Sequence, residues 1–171
     1  MKAKIQYIDL FAGAGGLSEG FKRTGNYNPL AHVEMNLQAC NTLKTRLSYY
    51  YLKENRKLDF YYQYLRREIS REELWRKVPK EILESVINTE LNDNSIYEVF
   101  KQVDKYVRYT GTKKVDLVIG GPPCQAYSVM GRSVSVTGMK DDPRNYLYKL
   151  YVNLLLITLP KCLFLKTFQE F

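Results

Sequence analysis

Cysteine is scarce in this sequence: Cys40, Cys124 and Cys162 are the only three in 171 residues. The count is odd and the spacing wide. That excludes a disulfide framework and any zinc site built on close Cys pairs. Each thiol has a default reading as a small buried hydrophobe. Long apolar runs are missing too. The most apolar stretch, LYVNLLLITLP, is far short of the ~20 residues that a membrane span needs, and it suits a buried helix. The opening MKAKIQYIDLF has neither the apolar core nor the small-residue cleavage site of a secretory leader. The chain therefore reads as cytoplasmic, without a membrane part. Acidic residues are in deficit, 18 Asp and Glu against 26 Lys and Arg, giving a net charge of +8. That balance fits a polyanionic partner, and a solvated basic surface fits it equally. There is no internal repeat and no low-complexity linker. What remains, 45% hydrophobic and 26% charged, is a globular composition long enough for one domain with a core.

The order of elements points to an α/β fold. KIQYIDLF reads as a first strand ending at Asp9, AGAGG as a tight turn, and LSEGFKRTG as a helix stopped near Gly25. YNPLAHVEMN reads as a second strand ending near Glu34. LQACNTLKTRLSYYYLKEN has helical spacing, with Leu37, Cys40, Leu43 and Leu47 on one side. Strand, glycine turn, helix, strand is the opening of a doubly wound sheet. SIYEVFKQVDKYV predicts another helix through Ile96, Val99, Phe100, Val103 and Val107. KKVDLVIGG predicts a strand buried on both faces. A Gly, Ser and Val-rich loop (129–139) and a helix from DDPRNYLY onward follow, and KCLFL reads as one more strand.

Residues 44–80 have a different texture, with eleven Lys or Arg against five Asp or Glu, interleaved with six tyrosines, Phe60 and Trp75. This predicts a basic, Tyr-rich helical insertion at about 50–90. Its residues suit nucleic acid, through phosphate contacts and stacking. An amphipathic helical pair with rings inward and charges outward accounts for them as well.

Two short strings carry chemistry. In DLFAGAGGLSEGF, a glycine turn between strand and helix lets backbone approach a ligand, a feature shared by several nucleotide-type cofactors. Glu34, at the end of the second strand, is where such folds place a carboxylate for ribose hydroxyls. In GGPPCQAYS, Cys124 follows Pro-Pro at a strand end, so the thiol sits on a stiff mount.

Together, DLFAGAGGLSEGF and GGPPCQAYS, in that order and followed by DPRNYLY, resemble the cytosine-C5 DNA methyltransferase family. The resemblance runs from about Ile5 to Lys161 and is weakest over 51–90. It implies a class I S-adenosylmethionine-dependent methyltransferase sheet, Rossmann-like and truncated, and methyl transfer from S-adenosyl-L-methionine to C5 of cytosine in double-stranded DNA. It makes Cys124 the nucleophile that adds to C6, on a base flipped out of the duplex. It aligns Asp9, Phe11, Gly13, Gly15, Gly16 and Leu17 with the cofactor turn. Glu34 aligns with the ribose carboxylate and Met35 with the residue packed on adenine. Pro123 and Leu147 fall beside the methyl donor, and Ser95 or Asn94 stands where the family has an Asp at the adenine edge. RNA cytosine methylation uses similar motifs. Bacterial relatives often accompany a restriction endonuclease.

The resemblance also implies parts not found in this sequence. After the Pro-Lys the family continues to Phe-x-Phe-Glu-Asn-Val, whose Glu binds the cytosine, then to a target-recognition domain. Here PKCLFLKTFQEF follows, with Lys166 in place of that Glu. Deleting one base from a coding string for Cys-Phe-Ile-Phe-Glu-Asn-Val-Pro-Gly-Ile-Leu yields Cys-Leu-Phe-Leu-Lys-Thr-Phe-Gln-Glu-Phe and a stop, matching Cys162 to Phe171. The expectation is thus a frameshifted enzyme. Residues 1–171 would be the N-terminal part of the cofactor-binding domain, poorly soluble through an uncovered sheet edge and with little or no turnover. The rivals are a split enzyme completed by a C-terminal chain and a non-catalytic cofactor- or DNA-binding module.

Overall fold

The computed structural model describes residues 3–92, 94–112, 114–121 and 162–165. Strand β1 (Ile5–Leu10) is its axis, with Tyr7, Ile8, Asp9 and Leu10 all within 1% of complete burial. Such burial on both faces belongs to a central parallel strand. Helix α1 (Gly16–Arg23) leads to β2 (Tyr27–Glu34), and α2 (Leu37–Glu54) follows, its first turn capped by the Asn36 side chain accepting from the Ala39 N–H at 3.0 Å. Three short helices come next: α3 (Asp59–Leu65), α4 (Arg71–Trp75) and α5 (Lys80–Glu84). Then β3 (Val86–Asn88), α6 (Ile96–Tyr109), β4 (Leu117–Gly120) and β5 (Cys162–Leu165) complete the described chain.

The five strands form one sheet in the order β3-β2-β1-β4-β5, with every pairing parallel. One face packs Ile8, Leu10, Val33 and Val118 against Val99, Phe100 and Val103 of α6. The other packs Tyr7, Leu117 and Ile119 against Leu17 and Phe21 of α1. Cys40 and Leu43 of α2 meet Ala12 and Val86. This is the doubly wound α/β arrangement. The direction of winding reverses between β1 and β4, where the two carboxyl ends open the crevice in which such sheets bind ligands. Pro29 sits within β2 without breaking the sheet because the register shifts there. Tyr7 pairs with Pro29 and Ile8 with Ala31, leaving Leu30 as an extra, fully buried residue.

Residues 50–88 form the end of α2, helices α3 to α5 and strand β3. The helices enclose their own small core of Leu52, Leu74 and Val78, rimmed by Tyr51, Phe60, Tyr61 and Tyr64. A capping box between Ser70 and Glu73 starts α4. Two expectations change. Leu37 is exposed, because it opens α2 ahead of the turn that reaches the sheet; Cys40, Leu43 and Leu47 do pack inward. Strand β3 has no counterpart in the sequence reading, since three residues give no periodic signal. KCLFL does form β5, with Leu163 and Phe164 beside Val118 and Ile119. The loop at 129–139 and the helix expected after it lie outside the described residues.

Leu52 is completely buried in the satellite core, and Leu65 is exposed on the same set of helices. Leu52→Ala is expected to lower stability by about 2–5 kcal/mol, and Leu65→Ala by less than about 0.5 kcal/mol, in urea denaturation. Equal small losses would mean that these helices are not packed on Leu52.

Candidate active site

In a parallel sheet every strand delivers its carboxyl end to the same edge. Here that edge gathers the segments after β1 (11–15), β2 (35–36), β3 (89–95) and the start of the one after β4. The chain leaves β1 through three left-handed residues, Phe11 (φ 54°), Gly13 (φ 54°) and Gly15 (φ 81°). Phe11 is the strained one, since a residue with a Cβ rarely adopts that conformation. At Gly15 an added Cβ would lie 2.6 Å from Leu43 Cδ2, so only glycine lets α2 pack this closely on the turn. At Gly13 and Gly16 a Cβ would meet nothing within 4 Å, so the turn is open on its outer side.

Glu34 fixes this turn. Its Oε2 accepts the Gly13 N–H at 2.8 Å and its Oε1 accepts the Asn36 N–H at 2.7 Å. Its backbone carbonyl accepts the Thr89 N–H at 3.1 Å and the Asn88 amide at 3.1 Å. Arg46 of α2 braces the turn from outside, with Nε donating to the Ala14 carbonyl at 3.1 Å. Met35 is 65% exposed next to Glu34, an uncovered apolar side chain at the mouth.

Asp9 lies one turn of sequence below. It is 1% exposed, and its Oδ2 has no hydrogen-bond partner among the described residues. Burial, and then the nearby Glu34 charge, push its carboxyl up to about 8. Its register neighbour on β2 is His32, whose Nε2 bonds the Ser18 Oγ at 2.8 Å and whose Nδ1 lacks a described partner. Burial, with the Lys22 charge adding to it, lowers His32 to about 4. Tyr7 Oη completes the line at 2.6 Å from the Ser18 Oγ. The sequence reading missed Tyr7, Ser18 and His32. The available signal was a lone histidine in the apolar run PLAHVE, two residues from Glu34 and thus on the same face.

The remaining expected residues are placed as follows. Leu17 packs on the β1–β4 face with Tyr7, Leu117 and Ile119. Ser95 stands at the start of α6, on the same sheet edge, but its hydroxyl is engaged locally: it donates to the Glu90 carbonyl at 2.6 Å and accepts the Asn92 N–H at 3.0 Å. Pro123, Cys124 and Leu147 lie outside the described residues. Strand β4 ends at Gly120, beside Leu10 of β1. No group of His, Cys, Asp and Glu suited to a metal occurs among the described residues. No helix among them is long and apolar enough to cross a membrane.

The edge thus combines an open left-handed glycine turn, a carboxylate at the adjacent strand end and an exposed apolar side chain beside it. Comparison with known proteins shows the family. The model of the C-5 cytosine-specific DNA methylases matches residues 5–66 and 75–166. The chain belongs to this family. It is 40% identical to the type II methyltransferase M.Bpa9945I of Bacillus paralicheniformis, across 84% of this chain and 36% of that protein. It is 32% identical to M1.HphI of Haemophilus parahaemolyticus, across 92% of this chain and 30% of the relative. M.AquIA of Picosynechococcus is 26% identical across 91% and 45%. The chain thus spans about a third to a half of the length of these methyltransferases. The gap in the family match, 67–74, takes in the α3–α4 connection and most of α4; the rest of the 51–90 stretch, where the resemblance was expected to be weakest, is matched.

Two buried titratable groups beneath the turn, Asp9 and His32, set opposite pH slopes. Asp9 is raised, so between about 4 and about 8 the folded state holds the extra proton and stability falls as pH rises. His32 is lowered, so between about 4 and 6.5 the unfolded state holds the extra proton and stability is lost as pH falls. Below 6.5 the slopes oppose; from 6.5 to 8 only Asp9 acts. Urea midpoints are expected to decline from pH 6.5 to 8, and Asp9→Asn to flatten that decline. The same decline in Asp9→Asn would assign it to another group.

Proposed function

We propose that the chain carries the cofactor turn and the nucleophile of a DNA cytosine-C5 methyltransferase that uses S-adenosyl-L-methionine. The observation that supports this most directly is the open glycine turn clamped by Glu34 at the point where β1 and β4 diverge, with β4 ending at Gly120 beside it. When bound, S-adenosyl-L-methionine supplies an electrophilic methyl on a sulfonium. Glu34 would accept the ribose hydroxyls. An ionised carboxylate has about four acceptor sites and backbone N–H groups occupy two of them. Met35 would cover one face of the adenine, and Phe11 and the backbone of Gly13 to Leu17 would hold the amino-acid end. Pro123 and Leu147 would lie beside the donor.

Cys124 would act on the base. Its thiolate adds to C6 of a flipped cytosine, and the electron pair displaced toward C5 makes that carbon nucleophilic. After C5 takes the methyl group, loss of the C5 proton and departure of the thiolate restore the aromatic ring. The prolines before Cys124 limit its backbone freedom and hold the thiol ready for addition. Double-stranded DNA is the substrate in this reading, the cytoplasm the compartment, and a restriction–modification pair the setting that the type II relatives point to.

Two measurements test the reading. Calorimetric titration of the chain with S-adenosyl-L-methionine is expected to show binding that Glu34→Gln weakens about tenfold or more, the scale of charge-assisted hydrogen bonds at ~1.5–3 kcal/mol. Equal affinity in the variant removes Glu34 from the cofactor site. A duplex carrying 5-fluorocytosine cannot lose a proton from C5, so with cofactor present even a single, slow methyl transfer without repeated turnover is expected to leave a denaturant-stable adduct on the chain that Cys124→Ser abolishes. An adduct that persists in Cys124→Ser assigns the nucleophile elsewhere.

A further inference from the structure

Helices α1, α2 and α3 meet along a groove on the flank of the sheet. Lys22 and Arg23 close the last turn of α1, Arg46 and Lys53 lie on α2, and Tyr49, Tyr50 and Tyr61 form the floor and far wall. The tyrosines contact one another edge-on, Tyr49 with Tyr50 at 5.3 Å and Tyr49 with Tyr61 at 5.1 Å between ring centroids. Their faces hold cations. The Lys22 ammonium is 5.2 Å from the Tyr50 centroid, and the Lys53 ammonium 5.7 Å from that of Tyr49.

One carboxylate organises the groove. Glu19 accepts from Arg23 Nε at 2.8 Å and from Tyr50 Oη at 2.9 Å, and pairs with Arg46 at 3.2 Å. Both guanidinium groups are thereby fixed at the rim. The walls carry four cations against that single anion. Lys53 has no ion pair among the described residues, nor do Arg56 and Lys57 just beyond it. A surface of this kind is complementary to a row of negative charges. One face each of Tyr49 and Tyr50 is taken by an ammonium group, and Tyr49 meets Tyr50 and Tyr61 edge-on. Tyr49 and Tyr50 hold these cations in place along the groove. That favours phosphates presented by a closed duplex over the exposed bases of a single strand.

We infer that this groove, which touches the outer side of the glycine turn at Arg46 and runs away from it to Arg23 and Lys53, binds the phosphate backbone of duplex DNA. Gly16 opens α1 at the mouth and Arg23 ends it about 11 Å further along the axis at 1.5 Å per residue, so the groove faces the flank. Contacts there carry no base information. They hold the duplex non-specifically and raise the rate at which the mouth meets DNA. The inference rests on the reading of the chain as a DNA-directed protein.

The test is fluorescence anisotropy of a short labelled duplex with the full chain across a salt series. The pair Arg23→Gln and Lys53→Gln is expected to reduce the slope of log affinity against log salt by about 1.8, at about 0.9 per phosphate contact. The pair Lys101→Gln and Lys105→Gln, on α6 across the sheet, removes the same charge and is expected to leave the slope unchanged. Glu54→Gln, which frees Lys22 from its 3.5 Å pair, is expected to tighten binding. Equal slopes in the groove variant and wild type overturn the proposal. So do equal losses from both pairs, tighter binding of a single strand than of the duplex, or tighter binding of polyglutamate. Cofactor titration of the same variants separates the two readings. Groove-dependent duplex binding without cofactor binding removes methyl transfer and leaves the groove. Cofactor binding with groove-independent duplex binding does the reverse.

Discussion

The Glu34 carboxylate is the tie on which the rest of the site depends. One of its oxygens holds the Gly13 N–H and the other the Asn36 N–H, so a single side chain fixes both the exit from β1 and the entry to α2. Its backbone carbonyl adds the exit from β3 through Asn88 and Thr89. Three segments distant in sequence are thus held at one edge by charge-assisted and backbone hydrogen bonds, which are short and directional. With the turn pinned, Gly15 lies against Leu43 without room for a Cβ. The N-terminus of α1 then stands open at the crevice, where its orphan N–H groups favour negative charge. Asp9 and Glu34 divide the electrostatic work. Asp9 is buried and pushed toward its neutral form, which keeps a second negative charge out of the base of the turn.

Beneath the turn, polar groups penetrate the α1 face of the sheet. Tyr7, Ser18 and His32 form a hydrogen-bonded line that joins β1, α1 and β2. Burial keeps His32 neutral and holds the Tyr7 hydroxyl protonated. A line of this kind specifies how α1 sits on the sheet more sharply than apolar contacts alone, because a shifted helix would strand buried donors and acceptors. Above it, α1 still carries an ordinary apolar seam of Leu17 and Phe21 against β4.

The helices α3 to α5 are a separate solution to a separate problem. They add little to the sheet and enclose their own core, with aromatic rims around Leu52, Leu74 and Val78. Their rings serve two ends at once. Phe60 does both, packing into the small core and holding Lys77 over its face, while Trp75 holds Lys44 and Arg71. The inward packing of rings that the 44–80 stretch suggested is present in Tyr51, Phe60, Tyr61 and Tyr64, with basic side chains held over Phe60 and Trp75.

Much of this was legible in the sequence. The strand, glycine turn, helix, strand order depends on local chemistry: β-branched runs, glycines where φ must be positive, apolar spacing at 3.6 residues. The motifs DLFAGAGG and GGPPCQAYS identify the family for the same reason, since each is a contiguous string whose residues act together. Other features were decided only in three dimensions. Leu37 is exposed although its spacing matches Cys40 and Leu43, because helix periodicity does not say where a helix first touches the sheet. Strand β3 exists because β2 offers it an edge, which three residues cannot announce. The Ser95 hydroxyl is engaged by its own turn, which alignment by motif position cannot reveal. The Asp9–His32 register, the Glu34 clamp and the Glu19-centred groove join residues from different elements, separated by 21 to 31 positions. Sequence fixes which side chains are available for such contacts; the parallel winding of the sheet decides which of them meet.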